Sequence, residues 1–270
     1  MASIAVGFPK LGLSFLALAW VMSLAACGPQ TAYRPPSEPG APAPAASGAQ
    51  VLEENLTVPS APHDVVHEVG PMETLWRLAK MYGVSVDDIA RTNHISNNAV
   101  IKIGQKLTIP NARSFRNMVY LYPGSQWRYI IVHHTASDIG SATLVHRAHH
   151  DRGFWNGIGY HFLIDNGSLG KGDGQIEMSP RWVKQQDGAH CRAGGMNHQG
   201  IGIALVGNFS IEQPTPNQLQ SLATLIKTLS RHYQIPSNRI MGHRDVAGAN
   251  TECPGTHFPW AKLRRSLTAP

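Results

Sequence analysis

Apolar residues along this chain fall into distinct regimes: an unbroken early run, a sparse stretch, a short module with helical spacing, and a long alternation of strand and helix patterns. The early run, Leu11 to Met22, follows Lys10 and ends in Leu24-Ala25-Ala26-Cys27. A charged start, a short apolar core and small residues before a cut site are the features of a secretory signal, and the run is too short for a comfortable membrane-spanning helix. Residues 27–63 are rich in Pro, Ala, Ser and Gly, with Pro35-Pro36 and Pro42-Ala43-Pro44 among them. Such a composition buries no core and predicts an extended, partly stiff tether.

Over residues 64–112 the pattern predicts a strand, two helices and a strand. Thr74 caps a helix carrying Leu75, Trp76, Leu78 and Ala79, and Gly83 ends it; Ser85 with Asp88 resembles a capping box for a second helix through Ile89 and Ala90. Glu68-Val69 and Lys106 to Pro110 supply the flanking apolar stretches.

The long alternation covers residues 117–268. Tyr129 to Thr135 predicts a buried strand that delivers a polar end, with His133 on the face of Ile131 and His134 on the face of Val132. Ser141 or Thr143 caps a helix whose apolar positions are Leu144, Val145 and Ala148, stopped at Gly153; Tyr160, Phe162 and Ile164 alternate in a second strand, and Asp165-Asn166-Gly167 turns towards Gly174 to Glu177. Ile201 to Val206 has no polar side chain and predicts a central strand buried on both faces. Thr215, Pro216 and Gln218 provide cap, first-turn proline and capping-box partner for a helix with Leu219, Leu222, Ile226, Leu229 and Tyr233 on one stripe, which is expected to cover one face of the sheet. The class implied is α/β, with polar candidates at strand ends.

The candidate chemistry sits in His133, in Gly242-His243-Arg244-Asp245 and in Thr251-Glu252-Cys253-Pro254-Gly255. Two imidazoles and a thiolate suit a borderline-soft four-coordinate ion, and three protein ligands leave one position for water, the pattern of catalytic rather than structural zinc. On residue types alone, His243 as a hydrogen-bonded core residue, Cys253 as a small buried hydrophobe and His133 as a strand end remain open.

His133-His134-Thr135-Ala136, Gly157 to Ile164, Gly188-Ala189-His190, Ile201-Gly202-Ile203, the His243 loop and the Cys253 loop resemble, in order, the zinc N-acetylmuramoyl-L-alanine amidase domain, a family that also includes peptidoglycan recognition proteins. The resemblance implies an amidase domain with a central mixed β-sheet flanked by helices. It implies one Zn2+ held by His133, His243 and Cys253, with Tyr160 and Thr251 as catalytic positions, and cleavage of the amide between N-acetylmuramic acid and L-alanine of the peptidoglycan stem. Thr251 stands where many phage enzymes carry lysine, and Ala204 where some relatives carry glutamate. The competing class is a non-catalytic peptidoglycan-recognition lipoprotein; Cys253 argues for the enzyme, because inactive recognition relatives commonly lack that ligand. His190, Arg192 and Asn197, in a Gly-rich loop, are weaker substrate-binding candidates beside a simple solvated loop, and Arg244-Asp245 is either a pair orienting the loop or a surface pair.

Residues 66–110, through Thr74 to Ala79, Tyr82 to Val86, Asn93 and Ile103 to Pro110, look like a βααβ LysM domain, with Glu73 where the family often has Asp. That implies binding of N-acetylglucosamine-containing glycan. Leu24-Ala25-Ala26-Cys27 resembles a bacterial lipobox, which implies removal of residues 1–26, lipidation of Cys27, and, since Gly28 rather than Asp follows, an outer-membrane lipoprotein facing the periplasm. An ordinary signal peptide or an uncleaved anchor is the alternative.

The net charge of +6 suits anionic wall polymer or lipid headgroups. No concentrated basic stripe or nucleic-acid module is evident, so nucleic acid is not an expected partner. Cys191, Cys27 and Cys253 are the chain's cysteines, and with Cys253 assigned to metal a disulfide framework is not expected. The expected partners are peptidoglycan and a membrane reached through the lipid anchor, and the expected state is a monomer.

Overall fold

The computed structural model describes residues 50–55 in backbone, 62–112, 115–124, 126–154 and 156–269. The signal segment, Cys27 and most of the tether therefore lie outside the described residues. Within the tether, however, β1 (Gln50–Asn55) is a paired strand, antiparallel to β4 (Arg116–Leu121), so the extended conformation expected there is in this stretch locked into a ladder.

The small module consists of β2 (His63–Glu68), α1 (Leu75–Tyr82), α2 (Val86–Thr92) and β3 (Lys106–Ala112). Thr74 accepts from the Arg77 amide, and Gly83, at φ 65°, donates its amide to the Ala79 carbonyl, as the local signals demand. Ser85 caps α2, but its hydroxyl donates to the Asp88 carboxylate; the reciprocal bond of a capping box is replaced by a side-chain pair. Val69, Leu78, Met81, Ile89, Leu107 and Ile109 fill the core of this module.

The larger domain carries β5 (Tyr129–His134), α3 (Ala142–Asp151), β6 (Phe162–Asn166), β7 (Asp173–Met178), α4 (Pro180–Val183), α5 (Met196–Gln199), β8 (Gly200–Leu205), α6 (Pro216–Tyr233), β9 (Ile240–Gly242) and α7 (Trp260–Thr268). It is an α/β domain with a central mixed sheet in the order β7-β6-β8-β5-β9; only the β6–β7 pair is antiparallel. β8 is buried along its whole length between β6 and β5, the place its unbroken apolar run requires. α6 forms the expected capping box at Thr215 and Gln218, and its Leu219, Leu222, Ile226 and Leu229 close one face of the sheet with Trp182, Ile130 and Phe162.

Two expectations are corrected. Ser141, one of the two cap candidates, does cap α3, but Leu144 is exposed: the helix buries Ala142 and Thr143 instead, because its first turn is pressed against the small module. The second strand begins at Phe162, so Tyr160 precedes it, and Asp165 and Asn166 belong to its end rather than to the turn; Asp165 is fully buried.

Candidate metal centre

The carboxyl ends of parallel strands collect the polar side chains, the usual location for sites in α/β sheets. β5 ends in His133 and His134, with His133 opposite Ala204 of β8. β9 pairs its Gly242 with Val132, so the next residue, His243, emerges beside His133; their ring centroids are 4.7 Å apart. Cys253 arrives on a loop bound back to the same strand end: the Arg244 amide donates to the Cys253 carbonyl at 2.8 Å, and the Cys253 amide donates to Thr251 Oγ1 at 3.2 Å. The carboxylate of Asp245 accepts from the Gly242 amide at 2.9 Å, and Asp245 faces Arg244 at 3.9 Å, so this pair braces the His243 loop.

The ligand atoms of His133, His243 and Cys253 all lie within 4.8 Å of one another, and Cys253 Sγ is 3.6 Å from His133 Nδ1. Donors bound to one zinc at about 2.0–2.3 Å in a tetrahedral arrangement stand about 3.3–3.8 Å apart; the Cys253–His133 pair already has that spacing, and the donor types suit the ion.

Hydrogen bonds determine the imidazole tautomers. The Gly200 carbonyl can only accept, so His190 Nε2, 3.1 Å away, carries its hydrogen. His190 is buried, and burial first, with His161 beside it, lowers its pKa well below the usual range; the ring is neutral and its Nδ1 is bare. Nδ1 therefore accepts from His133 Nε2 at 3.1 Å. His133, also kept neutral by burial and then by His190 and His243, is left with a bare Nδ1 aimed at Cys253. His243 is shifted down by burial as well. Burial pushes the Cys253 thiol up to about 12, so without a cation its proton stays on sulfur and points into the lone pair of His133; a soft cation displaces that proton.

His134 lies on the opposite face, as the period-two reading requires: its Nδ1 accepts from the Phe209 amide at 3.1 Å, and burial brings its pKa down to about 4. Tyr160 flanks the centre, its ring centroid 5.1 Å from that of His133 and 5.5 Å from that of His149. Thr251 accepts from the Cys253 amide and so is tied to the loop that carries the sulfur.

The Gly-rich loop is not simply solvated. His190 points inward to His133, and Asn197 spends its side-chain carbonyl on the amides of His190 and Cys191, at 2.8 Å each; of the three candidates there, only Arg192 is exposed. The sequence reading missed the link from His190 to His133. Its one signal was the Gly188-Ala189-His190 block: at Gly188 and at Gly202 an added Cβ would collide with the His190 ring. His149, which accepts from the Gly159 amide at 2.9 Å beside Tyr160, was also missed, because its helix looked like an ordinary surface helix.

Comparison with known proteins finds relatives of both domains. The family model for N-acetylmuramoyl-L-alanine amidase matches residues 123–256, and that for the LysM domain matches residues 67–110. Peptidoglycan-recognition protein SC1a of Drosophila melanogaster is 35% identical over 150 residues, spanning 52% of this chain and 74% of that protein. Peptidoglycan-recognition protein 2 of Holotrichia diomphalia is 32% identical over 138 residues, spanning 48% and 67%. Among solved structures, the N-acetylmuramoyl-L-alanine amidase LysC of Clostridium intestinale is 33% identical with a TM-score of 0.45, covering 55% of this chain and 92% of that one. Fold and sequence together define an α/β domain of the amidase and peptidoglycan-recognition type, joined to a LysM domain. The chain belongs to the N-acetylmuramoyl-L-alanine amidase family.

Proposed function

We propose that the protein is a zinc-dependent N-acetylmuramoyl-L-alanine amidase that hydrolyses the amide joining N-acetylmuramic acid to the L-alanine of the peptidoglycan stem. The observation that carries this reading is the convergence of His133, His243 and Cys253 at the ends of parallel strands, with neutral imidazoles and a displaceable thiol proton. When bound, zinc would activate water and polarise the scissile carbonyl.

Every other contribution comes from the chain. His133, His243 and Cys253 hold the ion; His190 orients His133 through the Nε2–Nδ1 bond and sets its tautomer. Water oxygen bonds to the lactyl carbonyl carbon, the carbon–nitrogen bond breaks, and the proton from water leaves on the amine of L-alanine. Tyr160, on the wall beside His133, donates its hydroxyl hydrogen to the oxygen on which negative charge develops, a contact stronger in the transition state than in the bound substrate. Thr251 acts by holding the Cys253 amide, and so the sulfur, in place. Arg192, exposed on the rim, is the remaining candidate contact for substrate.

In this reading the LysM domain binds the glycan, lipid on Cys27 attaches the mature chain to the outer membrane, and the protein works in the periplasm on the cell wall. Among the described residues no helix is long and apolar enough to cross a membrane.

A second reading, a binder without turnover, draws on relatives named peptidoglycan-recognition proteins. Metal analysis, with mass spectrometry of products from purified peptidoglycan, decides between them. Stoichiometric zinc and free stem peptides beginning with L-alanine are expected; a protein that retains wall fragments and never releases such peptides is the binder.

A further inference from the structure

The two domains meet across a seam that is both charged and buried. Lys171, between β6 and β7, is 5% exposed. Its ammonium donates to the Glu68 carbonyl at 2.6 Å, pairs with Glu177 at 3.0 Å and lies 4.0 Å from Glu73. Glu73, on the LysM side, bonds His67 Nε2 at 2.7 Å and accepts from the Gly70 amide at 2.6 Å. Arg77, 1% exposed, donates outward from α1 to the carbonyls of Met118 and Ile176. Burial alone would neutralise Glu73, but His67, Lys171 and Arg77 outweigh it and hold its carboxyl well below the usual range.

Two of these charges reach across the seam: Lys171 to the Glu68 carbonyl and towards Glu73, and Arg77 to the carbonyls of Met118 and Ile176. A LysM domain swinging free would take the Glu68 carbonyl and Glu73 from Lys171 and the carbonyls of Met118 and Ile176 from Arg77, leaving buried charged donors to find new acceptors, while the Lys171–Glu177 pair stays within the larger domain. Mobility is the default for linked domains, and this seam opposes it.

The seam also continues into the metal centre. Glu177 accepts from the amide of Ala142, the first residue of α3, at 2.7 Å, while Thr143 donates to the Val69 carbonyl at 3.2 Å. From there α3 runs to His149, whose ring packs against Tyr160 and whose Nδ1 holds the Gly159 amide.

We propose that the LysM domain is a docked wall of the catalytic body, held in register by Lys171, Arg77 and Thr143, so that a glycan strand bound there presents its stem peptides to the metal centre at a set distance. The enzyme then favours polymeric glycan over short soluble disaccharide-peptides. This rests on the amidase reading above; Lys171, Arg77 and Thr143 are positioning residues, remote from the reacting atoms.

The test uses the full chain carrying Lys171→Met with Glu177→Gln, a change that removes one charge of each sign. Zinc content, retention on purified sacculi and cleavage of a soluble disaccharide-peptide are expected to stay within about twofold of wild type. Release of stem peptides from sacculi is expected to fall about tenfold or more as the effective concentration of linked stems is lost. Limited proteolysis should show the domains separated. Thr143→Val deletes only the bond to Val69; it should lower the ratio of polymer to fragment cleavage about two- to threefold and keeps the test readable if the double variant does not fold. Equal losses on both substrates, or an unchanged ratio in a variant whose domains have separated, would overturn the proposal while wild type still cleaves. A wild-type protein that cleaves neither substrate would overturn the amidase reading and the register with it.

Discussion

The metal centre and the LysM seam are both buried clusters of titratable side chains, and they are built on opposite principles. At the seam the opposite charges stand in pairs: Lys171 with Glu177 and a carbonyl, Glu73 with His67 and an amide. At the metal centre the rings are neutral, the outer nitrogen of His133 is taken by His190 and that of His190 by the Gly200 carbonyl, and the ligand atoms of His133, His243 and Cys253 converge on one another. A self-neutralised cluster stabilises a junction, whereas converging lone pairs gain their energy only from a cation. The same residue types thus serve structure or chemistry according to where their protons are held.

Removing a ligand gives the largest expected effect. Cys253→Ser replaces a soft thiolate with a weak hydroxyl ligand, so zinc content and stem-peptide release should fall together to near background. A variant that kept both would make Cys253 a packing residue and erase the contrast with the seam. Tyr160→Phe should separate metal from chemistry: zinc stays bound while turnover drops on the order of 10²-fold, with little change in KM. If KM rose and kcat held, Tyr160 would belong to binding instead.

His190→Gln probes the tautomer relay. Loss of the bond to His133 should weaken zinc about 10- to 100-fold in a chelator competition, a readout that needs no substrate. Unchanged affinity would mean that the His133 ring is oriented by packing alone.

The smallest effect concerns pH. His161, fully buried beside Trp127, has its pKa lowered by burial to about 4, while its Nδ1 accepts from the Gly202 amide. Folding favours its neutral form, so its contribution is complete above the unfolded value near 6.5 and is lost as pH falls towards 4. Denaturant melts of metal-free protein should lose up to about 1.4 kcal/mol per pH unit from this group in that window. His161→Gln should flatten the slope; an identical slope in the variant would assign the acid sensitivity elsewhere.

Much of this protein was legible in its sequence because the signals are local. The Thr215 cap, the apolar run of β8 and the alternation that separates His133 from His134 each depend on a few neighbouring residues, and the structure follows them. The blocks around His133, His243 and Cys253 were readable as a resemblance, but their approach to within 4.8 Å depends on β5 and β9 being neighbours in a parallel sheet, a pairing that no local pattern encodes. Three features belong to tertiary structure alone: the inward turn of His190, the burial of Thr143 in place of Leu144, and the answering of Lys171 by Glu68, Glu73 and Glu177. Periodicity records which face of an element is apolar, whereas burial of a polar side chain is decided by the partner waiting for it, and here those partners lie up to 103 residues away.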